Sequence, residues 1–221
     1  MTVISDVFLD HYAKEIGIMI RPPASHVPAQ EPKQAEAPVY QADLSQLRIQ
    51  ALACDACALC QERQQVVFGM GNPHADVMFI GEAPNAEEEK EGIPFVGQSK
   101  QIFAAMLQAM GLQREQVYLS NVVLCRPPED RHPELEEGKQ CRYWLEAQWQ
   151  AIQPRVVCLM GKVAMQHVLG EEGTLAAARG KWFDHLNTKV MVTYHPAHLL
   201  RAPSHKAMAW QDLQMLKKTL A

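Results

Sequence analysis

Residues 75–97 read ADVMFIGEAPNAEEEKEGIPFVG. ADVMFIG (75–81) is a short apolar run closed by glycine, the pattern of a buried strand. The remainder, from Gly81 to Gly97, is a loop whose glycines and prolines let the backbone turn tightly and approach a ligand. Outward from this segment the chain alternates. QIFAAMLQAMG (101–111) has helical period and a glycine stop, and VYLSNVVL (117–124) reads as a second strand. After the Pro- and charge-rich loop CRPPEDRHPELEEG, a long helix is predicted over about 139–152. RVVCLMG (155–161) is a third strand, KVAMQHVLG a short helix, VMVTYH (190–195) a fourth strand and HKAMAWQDLQMLKKTL a closing helix. Strands alternating with helices imply a three-layer α/β/α fold around a central, mainly parallel four-stranded sheet.

Upstream, DLSQLRIQALA starts a helix with Asp43 as its N-cap, so the folded domain is expected to span 43–221. Residues 20–42, rich in Pro, Ala, Gln and Glu, read as a flexible linker. Residues 1–19 are expected to form an N-terminal helical segment, amphipathic over 4–18 and available to a protein partner. The chain of 221 residues is 48% hydrophobic and 21% charged, a globular composition. No apolar run is long enough for a membrane span, and the first residues carry acids where a secretion signal is basic. A cytoplasmic protein is expected. Its formal net charge of −4 means that any nucleic-acid binding must come from a local patch.

In open parallel sheets, ligands bind beyond the carboxyl ends of the strands. Glu82 follows the first strand, Asn121 lies within or at the end of the second, Gly161 follows the third and His195 follows the fourth. Their convergence on one edge predicts a site. Read singly, the residues are less telling. Phe95 in its glycine-bounded loop can offer a stacking face, although core packing is the better reading of it alone. The acid run EEEKE reads as a solvated surface. His195, released from a strand and followed by Pro196, has a fixed backbone direction. Leu199 and Leu200 are core at helical spacing or, if exposed, a wedge for a base stack.

Six cysteines in a reducing compartment point to metal or catalytic use. Cys54 and Cys57 form a CxxC pair that Cys60 extends to CDACALC, and Cys125 and Cys141 stand further on. Cys158, inside an apolar strand, reads as a small buried hydrophobe.

The order GEAPNAEEEKEGIPFVG, NVVLCRPPEDRHP, a cysteine followed by WLEAQ, MGKVA, RGKW and YHPAHLLR resembles the family 4 uracil-DNA glycosylases, the iron–sulfur members of their superfamily. The likeness runs from about Leu52 to Leu216. It implies a monofunctional DNA glycosylase that flips uracil out of DNA, hydrolyses its glycosidic bond and leaves an abasic site, acting as a monomer. It also implies a [4Fe–4S] cluster on Cys54, Cys57, Cys125 and Cys141 with a structural role; a four-cysteine zinc site is the alternative, and Cys60 is a spare thiol able to compete with Cys57.

By the same resemblance Phe95 stacks on the flipped ring, Asn121 reads its edge, and Ala83 belongs to the base-binding set. Glu88 stands near C5 and excludes thymine's methyl. His195 donates to the charge developing on O2, and Glu82 orients water or offsets charge on the sugar. Leu199 enters the vacated stack, with Arg201 and Arg131 beside the DNA.

Three residues depart from the family pattern. Asn85 replaces a glycine and adds an amide near the base; Asp130 replaces an asparagine and adds a carboxylate able to activate water. Lys100 also replaces a glycine, and adds a phosphate contact. These departures leave open a retuned or catalytically silent iron–sulfur DNA-binding module, or a glycosylase for another deaminated or modified base. From Pro196 onward Arg201, Lys206, Lys217 and Lys218 stand against Asp212 alone, and Arg126, Arg131, Arg179 and Lys181 lie in nearby loops. Together they form the expected basic patch.

Overall fold

The computed structural model describes residues 43–170 and 172–220, so the expectations for the N-terminal helix and linker lie outside the described residues. The first described helix, α1 (Leu44–Leu52), begins where expected: the Asp43 side chain accepts the N–H of Ser45 at 2.9 Å. The four anticipated strands are present as β2 (Val77–Gly81), β3 (Tyr118–Asn121), β4 (Val156–Met160) and β6 (Thr188–Thr193), all mutually parallel. β2 and β4 are buried at every position, as expected of strands covered on both faces.

The sheet has six strands rather than four, in the order β1-β3-β2-β4-β6-β5. The additions are antiparallel edges. β1 (Met70–Gly71) is two residues long and carries no readable period. β5 (Trp182–His185) is the first arm of a hairpin with β6, turning through Leu186 (φ 47) and Asn187 (φ 58), both left-handed as a tight hairpin turn requires.

The remaining helices are α2 (Ala86–Glu91), α3 (Lys100–Met110), α4 (Leu135–Ile152), α5 (Lys162–Leu169), α6 (Leu175–Ala178), α7 (Pro196–Arg201) and α8 (Lys206–Leu220). α4 starts four residues earlier than its predicted beginning because Glu134 and Glu137 close a capping box across its charged first turn.

Alternating residues of each strand build two cores. Met78, Ile80, Val157, Leu159, Val190 and Val192 pack with residues of α1, α4 and α5. Val77, Phe79, Val156, Cys158, Met160 and Met191 face the other way, toward α3, α7 and α8. Cys158 is fully buried, as its strand context implied. Among the described residues, no helix is long and apolar enough to cross a membrane.

Candidate functional site

A cleft of about 990 Å³ opens at the carboxyl edge of the sheet. Its lining includes Glu82 and Ala83 after β2, Asp130 and His132 after β3, Gly161 after β4, and His195, Leu200 and Arg201 after β6. Gly161 has φ +95, and a Cβ there would lie 3.3 Å from that of His195. Glycine thus lets the β4–α5 turn close against the histidine.

Asn121 ends β3 directly opposite Gly81 on β2. It is 2% exposed, and its Nδ2 has no hydrogen-bond partner among the described residues. A Cβ on Gly81 would fall 2.3 Å from Asn121 Oδ1 and 2.8 Å from the Phe95 ring, so the missing side chain is what lets amide and ring converge. The Phe95 ring stacks on Phe103 at 5.0 Å and tilts toward the His195 ring at 5.8 Å. The resting ring is therefore packed in the core, in agreement with the reading of Phe95 taken alone.

His195 caps α7, its Nδ1 accepting the N–H of Ala197 at 3.2 Å. An accepting Nδ1 leaves the neutral ring's proton on Nε2. Burial, with help from the nearby charges of Arg201 and His198, lowers the imidazole pKa to about 4, so the ring is neutral at physiological pH.

Glu88 lines the cleft and braces the loop that carries Phe95. One carboxylate oxygen accepts the N–H of Phe95 at 2.5 Å and the other that of Asn85 at 3.0 Å, so both ends of the 85–95 loop are tied to one buried acid. Burial raises its pKa to about 7 against these hydrogen bonds and Arg114. Arg114 donates to the carbonyls of Pro94 and Phe95, completing the brace around Phe95, which sits at φ 57.

Leu199, expected as the wedge, is 2% exposed and lies in the core with Phe103 and Leu213. Successive residues of a helix point about 100° apart, so its neighbour Leu200, 40% exposed, faces the cleft instead. Arg131, expected beside DNA, donates from both terminal nitrogens to Glu137, at 2.8 and 2.6 Å. Arg126 pairs with Asp130 and Glu89, and Arg179 with the buried Asp212, so three of the eight cations of the expected basic patch, Arg131 included, are paired with acids. His132, which sequence reasoning missed, meets the Glu82 carboxylate through Nδ1. Its only sequence signal was a place in the loop after a strand already linked to the site.

All five non-strand cysteines, Cys54, Cys57, Cys60, Cys125 and Cys141, line one pocket between α1 and α4. N–H donors point at three of the sulfurs: Trp144 Nε1 to Cys54 at 3.2 Å, Arg63 to Cys125 at 3.4 Å, and the Leu124 amide to Cys141 at 3.4 Å. Such donors stabilise thiolate ligands, so the donor set fits an iron–sulfur group. Among the described residues, no three His, Cys, Asp or Glu side chains are grouped to hold a single metal ion.

Residues 68–214 match the family model described as the uracil DNA glycosylase superfamily. The chain is 38% identical over 168 residues to a type-4 uracil-DNA glycosylase of Thermotoga maritima, covering 74% of this chain and 88% of that one. It is 34% identical to the type-4 enzyme of Sulfurisphaera tokodaii (79% and 84% covered) and 37% identical to that of Archaeoglobus fulgidus (69% and 80%). The chain belongs to the type-4 uracil-DNA glycosylases.

Within this type-4 framework each departure from the family pattern has a local structural setting. Asn85 caps α2, its oxygen accepting the N–H groups of Glu87 and Glu88 at 2.9 and 3.0 Å. At φ −94 it needs no glycine, and its side-chain oxygen caps the helix. Asp130 accepts from Arg126 Nε at 2.6 Å. Lys100 is exposed at the first turn of α3.

Proposed function

We propose that this type-4 chain releases uracil from DNA by hydrolysing its N-glycosidic bond, with the cleft as the base pocket. The observation that carries this reading is the buried Asn121 amide with its unpartnered Nδ2, which converges at Gly81 with the Phe95 ring, itself tilted toward the cleft-lining His195. A buried donor left without a partner costs about 1–3 kcal/mol, which a bound acceptor recovers. Uracil offers a carbonyl acceptor at O4 and an N–H at N3, the complement of an amide; cytosine presents the reverse order.

The nucleotide must leave the stack before the bond is reachable. Leu200 then fills the gap and Arg201 meets the backbone, while Phe95 presents its ring to the base once the loop opens. As the bond breaks, charge gathers on uracil O2. A neutral His195 donating from Nε2 stabilises that charge more in the transition state than in the ground state. Glu82 keeps a carboxylate at the mouth of the cleft, where it orients water and offsets positive charge on the sugar. Ala83, small and lining the cleft, leaves room for the ring.

Cys54, Cys57, Cys125 and Cys141 would hold a [4Fe–4S] cluster, whose contribution is to cross-link the segment after α1 to the β3–α4 loop and to α4 itself. The chain acts as a cytoplasmic monomer on uracil-containing DNA, and residues 4–18 remain the candidate docking segment for a protein partner.

Incubation with a uracil oligonucleotide followed by alkaline cleavage tests the reaction. Strand scission at uracil is expected. Its failure in single-stranded, U·G and U·A substrates alike would reject the activity.

A further inference from the structure

We infer that His132 is a positioning residue for the reaction, holding the Glu82 carboxylate in one orientation through its Nδ1. The inference rests on Glu82 acting as proposed above. The two residues come from different strand ends, fifty positions apart in sequence, and meet side chain to side chain at the cleft.

The loop carrying His132 is braced on both sides of it. Glu129 and Asp130 are consecutive left-handed residues, at φ 56 and 55, which reverse the chain just before it. Arg126 holds Asp130 at 2.6 Å. Arg131 grips Glu137 with two nitrogens and donates a further hydrogen bond, at 2.9 Å, to the carbonyl of His132 itself. Glu137 is 6% exposed and also accepts the N–H of Glu134 at 2.7 Å, which fixes it to the start of α4.

Packing does not explain the ring these contacts present. The His132 side chain is 79% exposed, against 27% for Glu82. A glutamate at a cleft mouth has several rotamers, and water attack needs one. An Nδ1–H on one carboxylate oxygen selects that rotamer and leaves the second oxygen free for water or the sugar. Exposure also makes the test clean, since truncating His132 removes a hydrogen bond and almost no core.

The experiment measures single-turnover excision of uracil, binding of uracil DNA and thermal stability for His132→Ala, His132→Asn, Glu82→Ala and the Glu82→Ala/His132→Ala pair. His132→Ala is expected to slow excision about 10-fold, a loss of the size that misorientation of one group produces, with unchanged binding and melting temperature. His132→Asn, whose side-chain N–H stands near the Nδ1 position, restores most of the rate. In the Glu82→Ala background His132→Ala causes no further loss, because the residue acts through that carboxylate.

A wild-type rate in His132→Ala, additive losses in the pair, a loss confined to binding, or no rescue by asparagine would each overturn the inference. If Glu82→Ala itself excises at the wild-type rate, the reading of Glu82 fails and the inference with it. A slow Glu82→Ala beside a fast His132→Ala removes the positioning role alone.

Discussion

The backbone N–H of Phe95 donates to the carboxylate of Glu88, seven residues earlier, at 2.5 Å. With Asn85 on the second oxygen, one buried acid gathers the loop that carries the Phe95 ring. The arrangement has a pH signature. Burial raises the Glu88 pKa from its ordinary 4.5 to about 7, so the native state binds the proton more tightly than the unfolded chain does. Stability should therefore fall as pH rises between those two values and then level off. Glu88→Gln removes the titration, and its denaturation midpoint should lose that component of the slope between pH 4.5 and about 7. An unaltered slope in the variant would show that Glu88 titrates normally.

His195 gives the opposite sign. Its pKa is lowered from 6.5 to about 4, burial being the largest cause. The stability this shift contributes is fully present above 6.5 and is lost as pH falls toward 4, because the unfolded chain protonates first. For excision, a neutral donor means that the rate should show no limb from this imidazole near 6.5, only a loss approaching 4. His195→Ala should slow single-turnover excision by about 10²-fold or more, the scale of a deleted transition-state donor. A rate that falls with a midpoint near 6.5 in wild type and loses that limb in His195→Ala would place the titration on a differently poised ring.

Gly81→Ala tests the contact between the two halves of the pocket. The new methyl would meet Asn121 Oδ1 at 2.3 Å and the Phe95 ring at 2.8 Å, inside any tolerable contact. Overpacking of this kind costs about 1–3 kcal/mol. The variant should melt lower and lose uracil excision out of proportion to the lost stability, since the amide and the ring are both displaced. Equal activity at a temperature where the variant is fully folded would mean that the base is read elsewhere.

The parallel core was legible because its strands are continuous apolar runs bounded by glycine or loop residues, and the buried faces of β2 and β4 require that pattern. Strand ends then located Glu82, Asn121, Gly161 and His195 without any long-range information. The two edge strands escaped: one spans two residues, and the other turns on Leu186-Asn187, a weaker hairpin signal than Asn-Gly. Side-chain partnerships escaped for a different reason. Arg126, Arg131 and Arg179 looked free in sequence, but Arg126 bonds Glu89 and Asp130, Arg131 bonds Glu137, and Arg179 bonds Asp212, and only folding reveals most of those neighbours. The Leu199–Leu200 pair shows the same limit at one residue's resolution, because helical spacing marked both as apolar and only the packing of α7 on α3 decides which is buried.

Three of the five cysteines in the pocket carry an N–H donor on sulfur. Cys125 and Cys141 are buried and each receives an N–H on its sulfur, while Cys54 receives one from Trp144. Burial pushes the Cys141 thiol up to about 12, so its thiolate needs a cationic partner to form. Cys57 and Cys60 line the same pocket without a side-chain N–H on sulfur among the described residues, and it is the sequence resemblance that makes Cys57 the expected ligand and Cys60 the spare thiol. Cys141→Ser should therefore abolish iron retention and the brown colour of the purified protein and lower its melting temperature, whereas Cys60→Ser should keep about four irons per chain, the content of the cluster inferred. Iron and acid-labile sulfide assays on both variants decide the matter. Loss of iron in Cys60→Ser would move Cys60 into the ligand set in place of Cys57, and one zinc per chain in wild type would replace the cluster altogether.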